Sequence, residues 1–329
     1  MRPPTRLALA AAFASVYLFW GATFLAIRYA VADIPPLLTI GLRCAGGAAI
    51  LYAWVAVRGP AERTTAAQWA TAGAAAVLLF LGCHGLLAWA EQRVSSGQAA
   101  LFMTAIPLFM VLLETLRTRR RPANHVLAGL ALGTLGVAAL TGGAGDRSGT
   151  LLDRIALIVS AFGWAAGSLV ARHGARPASV ARGTAMQLAA GAAVVLAASA
   201  VAGELAGWHP GQVTVRAAAA LGFLIVCGTV LGFGAYTWLL QTTTAAAATT
   251  YAFVNPVVAL ALAWLVGDEV LTSRSLVAAL FVVGAVVLIR ERPARRPAGR
   301  GWWAWIGALN KPRSREILSG RTPVHGGRR

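Results

Sequence analysis

Apolar residues run along the chain in blocks of about twenty, separated by short polar or charged stretches. An α-helix rises about 1.5 Å per residue, so about 20 residues cross a hydrocarbon core about 30 Å thick. The pattern predicts membrane spans over 7–28, 37–57, 67–90, 96–114, 126–142, 152–171, 182–203, 216–239, 249–267 and 276–290. The blocks are rich in Ala and Gly and lack the short alternating segments of a barrel, so they read as helices. The first block follows Met1-Arg2-Pro3-Pro4-Thr5-Arg6; it is too long for a signal-peptide core, and a second span follows closely, so it reads as the first transmembrane helix. Two pairs, Gly129 with Gly133 and Gly228 with Gly232, have the small-xxx-small spacing that lets membrane helices approach closely. The expected fold is all-α and integral to the membrane, with ten transmembrane helices.

Composition strengthens this reading. Of 329 residues, 58% are hydrophobic and 12% charged, against about 25% charged in soluble domains. Such a chain cannot cover a water-facing surface with polar groups, so the lipid bilayer is its solvent. Cys44, Cys83 and Cys227 all fall inside spans without a C-x-x-C pair and read as small packing residues, not metal ligands.

The net charge of +18 matters for where it sits. Arg2 and Arg6, Arg58 and Arg63, Arg117 and Arg119 to Arg121, Arg172, Arg176 and Arg182, and the Arg-rich tail all fall on one side of a ten-span chain. The other side is nearly balanced, with Arg28 near Asp33, Glu91 near Arg93 and Glu204 near Arg216. The positive-inside rule then places both termini in the cytoplasm. The tail 291–329 reads as basic and disordered, with Trp302, Trp303 and Trp305 suited to an interface; its charge calls for anionic lipid, not nucleic acid.

The two halves of the chain resemble each other. Phe19 to Arg28 reads F-W-G-A-T-F-L-A-I-R, and Gly163 to Arg172 reads G-W-A-A-G-S-L-V-A-R. An offset of 144 pairs Trp20 with Trp164, Arg28 with Arg172, Arg43 with Gln187 and Gly47 with Gly191. An offset of 149 pairs Gly85 with Gly234, Trp89 with Trp238 and Pro107 with Pro256, and Gly136 pairs with Gly284 at 148. The units are residues 7–142 and 152–290, each with five spans. An odd number of spans forces the second unit to enter from the opposite face, which makes an inverted-topology repeat. Two inverted units can exchange conformations and open a central site to each side in turn. The expected role is therefore a secondary carrier for a small solute. A channel or membrane scaffold is the alternative, but leaves the inverted repeat without a purpose. An intramembrane enzyme would need clustered His, Asp or Glu at helix spacing, which the chain lacks, and no P-loop is present. No cofactor or metal is expected. One chain holds both units, so a monomer suffices, and a dimer stays open.

These segments also resemble a known family. W-G-A-T-F-L-A-I-R in span one, L-R-C-A-G-G in span two, A-I-P-L-F-M-V-L-L in span four and F-V-N-P-V-V-A-L in span nine are similar to the EamA-like transporters of the drug/metabolite transporter superfamily. Gly267-Asp268-Glu269-Val270-Leu271-Thr272 resembles the family's acidic turn before its last helix. The first half departs from the pattern, with Arg117-Thr118-Arg119-Arg120-Arg121 where the family carries an acidic turn. The resemblance covers roughly residues 8–290. It implies ten helices in two repeats, a cell (inner) membrane location, and export of amino acids or other small metabolites.

Carrier sites lie near the midplane between repeats, so polar and aromatic residues away from helix ends are the candidates. The substrate-binding candidates are Trp20, His84, Trp164, Tyr236 and Asn255. Tyr251 and Phe253 are weaker lining candidates, and Gln98 and Gln187 further polar positions. Arg43 reads as a structural contact to backbone carbonyls or to Asp33 ahead of a ligand group. Trp89 and Trp238 read as interfacial belt residues. Pro107 and Pro256 interrupt spans four and nine, and each would leave a carbonyl without its helical partner. No span contains Lys, which argues against nucleotide-sugar or sugar-phosphate cargo; none carries a carboxylate in its interior, so strong proton coupling through a buried acid is not indicated; and the aromatic and apolar lining suits a neutral, zwitterionic or amphipathic solute.

Overall fold

The computed structural model describes residues 5–58, 62–94, 99, 102–141, 149–266 and 273–289. Gln98, the turn 267–272 and the tail 291–329 lie outside the described residues.

Among the described residues the chain is all-helical. Helix α1 spans Arg6–Ala30 and α2 Pro36–Arg58. The next helix, α3, begins as α-helix over Ala66–Ala76, widens to π-helix over Val77–Gly85 and returns to α-helix over Leu86–Glu91. Then come α4 (Ala105–Thr118), α5 (Asn124–Thr141), α6 (Leu151–His173) and α7 (Val180–Val201). Helix α8 repeats the pattern of α3: α-helix over Val215–Phe223, π-helix over Leu224–Phe233 and α-helix over Gly234–Thr242. A single turn at Ala245–Ala248 leads to α9 (Tyr251–Val266), and α10 spans Ser273–Ile289. Six of these elements, α1, α2, α3, α6, α7 and α8, are long and apolar enough to cross a bilayer among the described residues.

The helix starts follow from local chemistry. Thr5, Thr65, Thr150, Ser179 and Thr214 each accept a first-turn amide through the side chain, replacing the carbonyl partner that a helix start lacks. At Thr150 the cap is reciprocal, because Asp153 accepts the Thr150 amide in turn. Asp153 is fully buried and also receives the Arg93 guanidinium at 2.8 Å. It is a carboxylate that the sequence reading overlooked, and it joins α6 to the end of α3.

Packing is pairwise. Helix α2 lies against α7 and α5 against α10, while α1 packs on α9 and on the π-helical part of α8. Helix α6 packs on α4 and on the π-helical part of α3. Glycine sets the closest approaches. A Cβ on Gly163 would sit 3.1 Å from the Leu78 carbonyl oxygen, so α6 lies directly on the α3 backbone. Gly129 meets Ile289 and the Ala285 carbonyl of α10, whereas its partner in the spacing, Gly133, meets Phe253 of α9.

Carboxylates tie the two ends of the α2–α7 pair. Beyond the end of α7, Glu204 accepts the Leu37 and Leu38 amides at 3.1 and 2.9 Å and the Ser199 hydroxyl at 2.7 Å, capping α2. Beyond the end of α2, Glu62 accepts the Ala178 amide at 2.9 Å just ahead of α7. Beside the first contact, Asp33 accepts the Thr214 amide at 2.9 Å and hydroxyl at 2.6 Å and so caps α8. Those two bonds, the hydroxyl first, hold the Asp33 carboxyl below the ordinary aspartate range.

Two expectations are corrected and one is met. Trp238 is no interfacial residue, since it is 2% exposed inside the main core; Trp89, at 38%, is exposed and lies under the Arg93 guanidinium. Pro107 does stand at an interruption of its span: residues 102 and 103 are helical, Thr104 is a turn and α4 starts afresh at Ala105, so the proline has no amide for the Met103 carbonyl just before the break. Asp33 does not pair with Arg43, being spent on Thr214.

Candidate functional site

A cavity lies between α1, α2, the π-helical part of α3, α6 and the start of α9. Trp20, His84, Trp164 and Asn255 line it, as do Arg43 and Tyr251. Residues separated by more than two hundred positions thus meet in one place. Tyr236 does not reach the wall; it is 1% exposed and backs the aromatic layer from behind. Phe253 faces Gly133 of α5 instead, in a separate apolar cluster. Gln187 is also away from the cavity wall, and its Oε1 is buried without a hydrogen bond.

Trp20 is the centre of the aromatic layer. Its ring is edge-on to Trp164 at 5.4 Å and 83°, edge-on to Tyr251 at 4.6 Å and 86°, and tilted against Tyr236 at 5.2 Å. Edge-to-face contact sets the positive ring edge on the negative face of its neighbour. His84 lies edge-on to Trp164 at 5.2 Å and tilted over Phe80 at 5.9 Å. Behind the layer the Tyr236 and Ser168 hydroxyls share a hydrogen bond at 2.6 Å.

The π-helical stretch of α8 holds two of these side chains. In a π-helix the hydrogen bonds span five residues, a rare geometry frequent at functional sites. The Trp20 indole N–H donates to the Gly228 carbonyl at 2.9 Å. Arg43 Nε donates to the Thr229 hydroxyl, and its Nη2 reaches the same Gly228 carbonyl at 3.5 Å. Gly232 leaves room for the Trp20 ring, since a Cβ there would sit 2.6 Å from the indole nitrogen. The Gly228–Gly232 spacing thus forms the floor under Trp20 and Arg43. In α3, the π-helical stretch carries Cys83 and His84 to the cavity, and the Cys83 carbonyl accepts the Ser160 hydroxyl of α6 at 2.8 Å.

Several polar atoms at this site have no protein partner. The Trp164 indole nitrogen, the Tyr251 hydroxyl and Asn255 Oδ1 are buried without a hydrogen bond. Pro256 stands inside α9 and has no amide for the Ala252 carbonyl one turn earlier; both residues line the cavity. Buried polar atoms without partners are costly unless something else satisfies them. Sequence reasoning missed Thr229, Cys83, Met103 and Thr23. The first supports Arg43 and the others complete the wall, and only their fold neighbours identify them.

Among proteins of known sequence, the profile of the EamA-like transporter family matches residues 7–142 and 154–290. The chain is 33% identical over 291 residues to the uncharacterized inner membrane transporter YedA of Escherichia coli (strain K12), covering 88% of this chain and 92% of that one. It is 26% identical over 273 residues to the uncharacterized transporter YoaV of Bacillus subtilis (strain 168), covering 82% of this chain and 91% of the relative. A solved crystal structure, at 18% identity, superposes with a TM-score of 0.71 over 89% of this chain and 100% of its own, which shows a shared fold. With its long apolar helices and its match across both halves, the chain is a multi-pass membrane protein that belongs to the EamA-like transporter family.

Proposed function

We propose that the protein is a secondary carrier working by alternating access, and that it exports small metabolites across the inner (plasma) membrane with both termini in the cytoplasm. In this reading the ten helices α1 to α10 cross the bilayer as two inverted five-helix repeats, residues 7–142 and 152–290. The packing supports it. Exchanging the halves turns the α1–α9 contact into α6–α4 and the contact of α1 with the π-helical part of α8 into that of α6 with the π-helical part of α3, while α2–α7 and α5–α10 return to themselves. The π-helical stretches also fall at equivalent places in the third helix of each half. The relative YedA carries the words inner membrane transporter in its name, which is the basis for the location.

The observation that carries the reading is the meeting of Trp20 and Trp164, equivalent residues of the two halves, edge-on at one cavity. A site at the junction of two repeats is exposed to one side or the other according to how the halves rock. Trp20, His84, Trp164 and Asn255 are the solute-contacting residues, and Tyr236 braces the two tryptophans. The test is counter-flow in proteoliposomes with an amino-acid and metabolite mixture, comparing wild type with Trp20→Ala and His84→Ala. Saturable, counter-flow-stimulated movement that either substitution abolishes is expected. Movement without counter-flow stimulation would mean a channel, and movement unchanged in both variants would remove the assignment of the site.

A further inference from the structure

Arg43 is 8% exposed at the cavity wall, and no carboxylate answers its charge among the described residues. Its two contacts, the Thr229 hydroxyl and the Gly228 carbonyl, are neutral. The five carboxylates whose side chains are described are engaged elsewhere: Asp33 with Thr214, Glu62 with Ala178, Glu114 with Arg117 and His173, Asp153 with Arg93, and Glu204 with Leu37 and Leu38. A guanidinium has five N–H donors and stays charged in a protein. An intramembrane cation of this kind is expensive and marks a ligand or ion path.

We infer that Arg43 is the seat of a solute carboxylate, and that the cavity selects organic monoanions with an apolar or aromatic body over zwitterions and neutral solutes. The inference rests on the reading of this cavity as the carrier's solute site. Three features point to it. Charge comes first: a monoanion neutralises the site, whereas a zwitterion leaves it with the same net positive charge. Donors are also at hand, because the Trp164 N–H and Tyr251 O–H line the same cavity as Arg43, while the acceptors there, Asn255 Oδ1, the Ala252 carbonyl and the Tyr251 oxygen, carry no charge. An ammonium would exchange its water shell for neutral oxygens alone, at a wall that already carries the Arg43 charge. The remaining wall, including Ile27, Leu87, Met103 and Ile106 around the tryptophans, suits an apolar body and not a hydrated inorganic ion. The second half carries Gln187 at the position equivalent to Arg43, so the charge is built into one repeat only and the anion has a fixed orientation.

The probe set is phenylacetate, phenylacetamide, phenylalanine, phenylethylamine and inorganic phosphate. Each is titrated against the thermal unfolding of purified full-length protein in detergent. Phenylacetate is expected to raise the midpoint at a concentration at least about tenfold lower than any other probe, the margin of a charge-assisted pair of hydrogen bonds. Arg43→Gln removes that preference, and Arg43→Lys keeps part of it because the charge remains while the planar fork is lost. The wild-type comparison alone decides the matter if Arg43→Gln does not fold. Equal protection by phenylacetamide, phenylalanine or phosphate, no protection by phenylacetate, or a preference that survives Arg43→Gln overturns the inference. Counter-flow of the same probes reads the carrier separately. Exchange of phenylethylamine with phenylacetate excluded keeps the carrier and overturns the carboxylate seat; protection by phenylacetate without exchange of any probe keeps the seat and overturns the carrier.

Discussion

Replacing Gly232 by alanine tests whether the π-helical floor of α8 positions Trp20. The new Cβ would stand 2.6 Å from Trp20 Nε1 and 2.9 Å from Cδ1. Non-bonded carbons rest at about 3.5–4.0 Å, so the indole must retreat by about 1 Å. Trp20 cannot swing freely, being held between Trp164, Tyr236 and Tyr251 and bonded to the Gly228 carbonyl. Overpacking of this kind costs about 1–3 kcal/mol, and the strained hydrogen bond adds about 1 kcal/mol. Alanine returns up to about 1 kcal/mol through its better helix propensity. The net expectation is a loss of about 1–3 kcal/mol. Gly234→Ala, two residues on, is the control: nothing lies within 4 Å of its Cβ, so it gains up to about 1 kcal/mol. Chemical unfolding in mixed micelles should separate the two variants by about 2–4 kcal/mol, and counter-flow should fall in Gly232→Ala alone. If both variants behave alike in unfolding and transport, Trp20 is not seated by this glycine and the account of the site's floor is wrong.

Three further outcomes are expected. Glu204→Ala leaves the Leu37 and Leu38 amides without their carboxylate, which costs about 0.5–2 kcal/mol; hydrogen exchange should quicken in the first turn of α2 and stay unchanged in its middle, and protection left intact would refute the cap. Asp33 has a lowered native pKa, so its bond to Thr214 contributes above the ordinary aspartate value of 3.8 and is lost as pH falls through the native value. The stability difference between wild type and Asp33→Asn should hold from neutral pH down to about 4 and vanish below, and a difference that instead grows with acid has the wrong sign. Tyr236→Phe strands the buried Ser168 hydroxyl and costs about 1–3 kcal/mol, yet should leave the solute specificity measured by counter-flow intact, because Tyr236 stands behind the wall.

What the sequence reveals and what it hides have different physical origins. Helix positions follow from block length, because the bilayer imposes a span length that composition records directly. The candidates Trp20, His84, Trp164 and Asn255 stand out as aromatic or polar residues inside apolar blocks, and the fold gathers them at one cavity. Tyr236 has the same signature and lies one layer back, since the sequence carries depth along a helix more plainly than the direction a side chain faces. Trp238 was misplaced for a related reason: nearness to a helix end does not say whether that end is covered by neighbours. Thr229 is an ordinary residue in an apolar run, and becomes important only because α2 brings Arg43 to it. Nothing in the sequence singles out Asp153, but a helix start buried beside Arg93 makes it a junction.

The π-helical stretches of α3 and α8 have a consequence for insertions and deletions. In an α-helix each residue turns about 100° from the last, and a hydrogen-bond span of five residues winds the chain less tightly. Val77–Gly85 and Leu224–Phe233 therefore set the angular phase between the two ends of their helices, like a spacer in a shaft. Tightening either stretch to ordinary α-helix would rotate one end against the other. The face of α8 that carries Gly228 and Thr229 would then lose its alignment with the end capped by Asp33. A single-residue deletion inside either stretch, harmless to its hydropathy, should therefore be far less tolerated than one in the loops, because it re-times the whole helix.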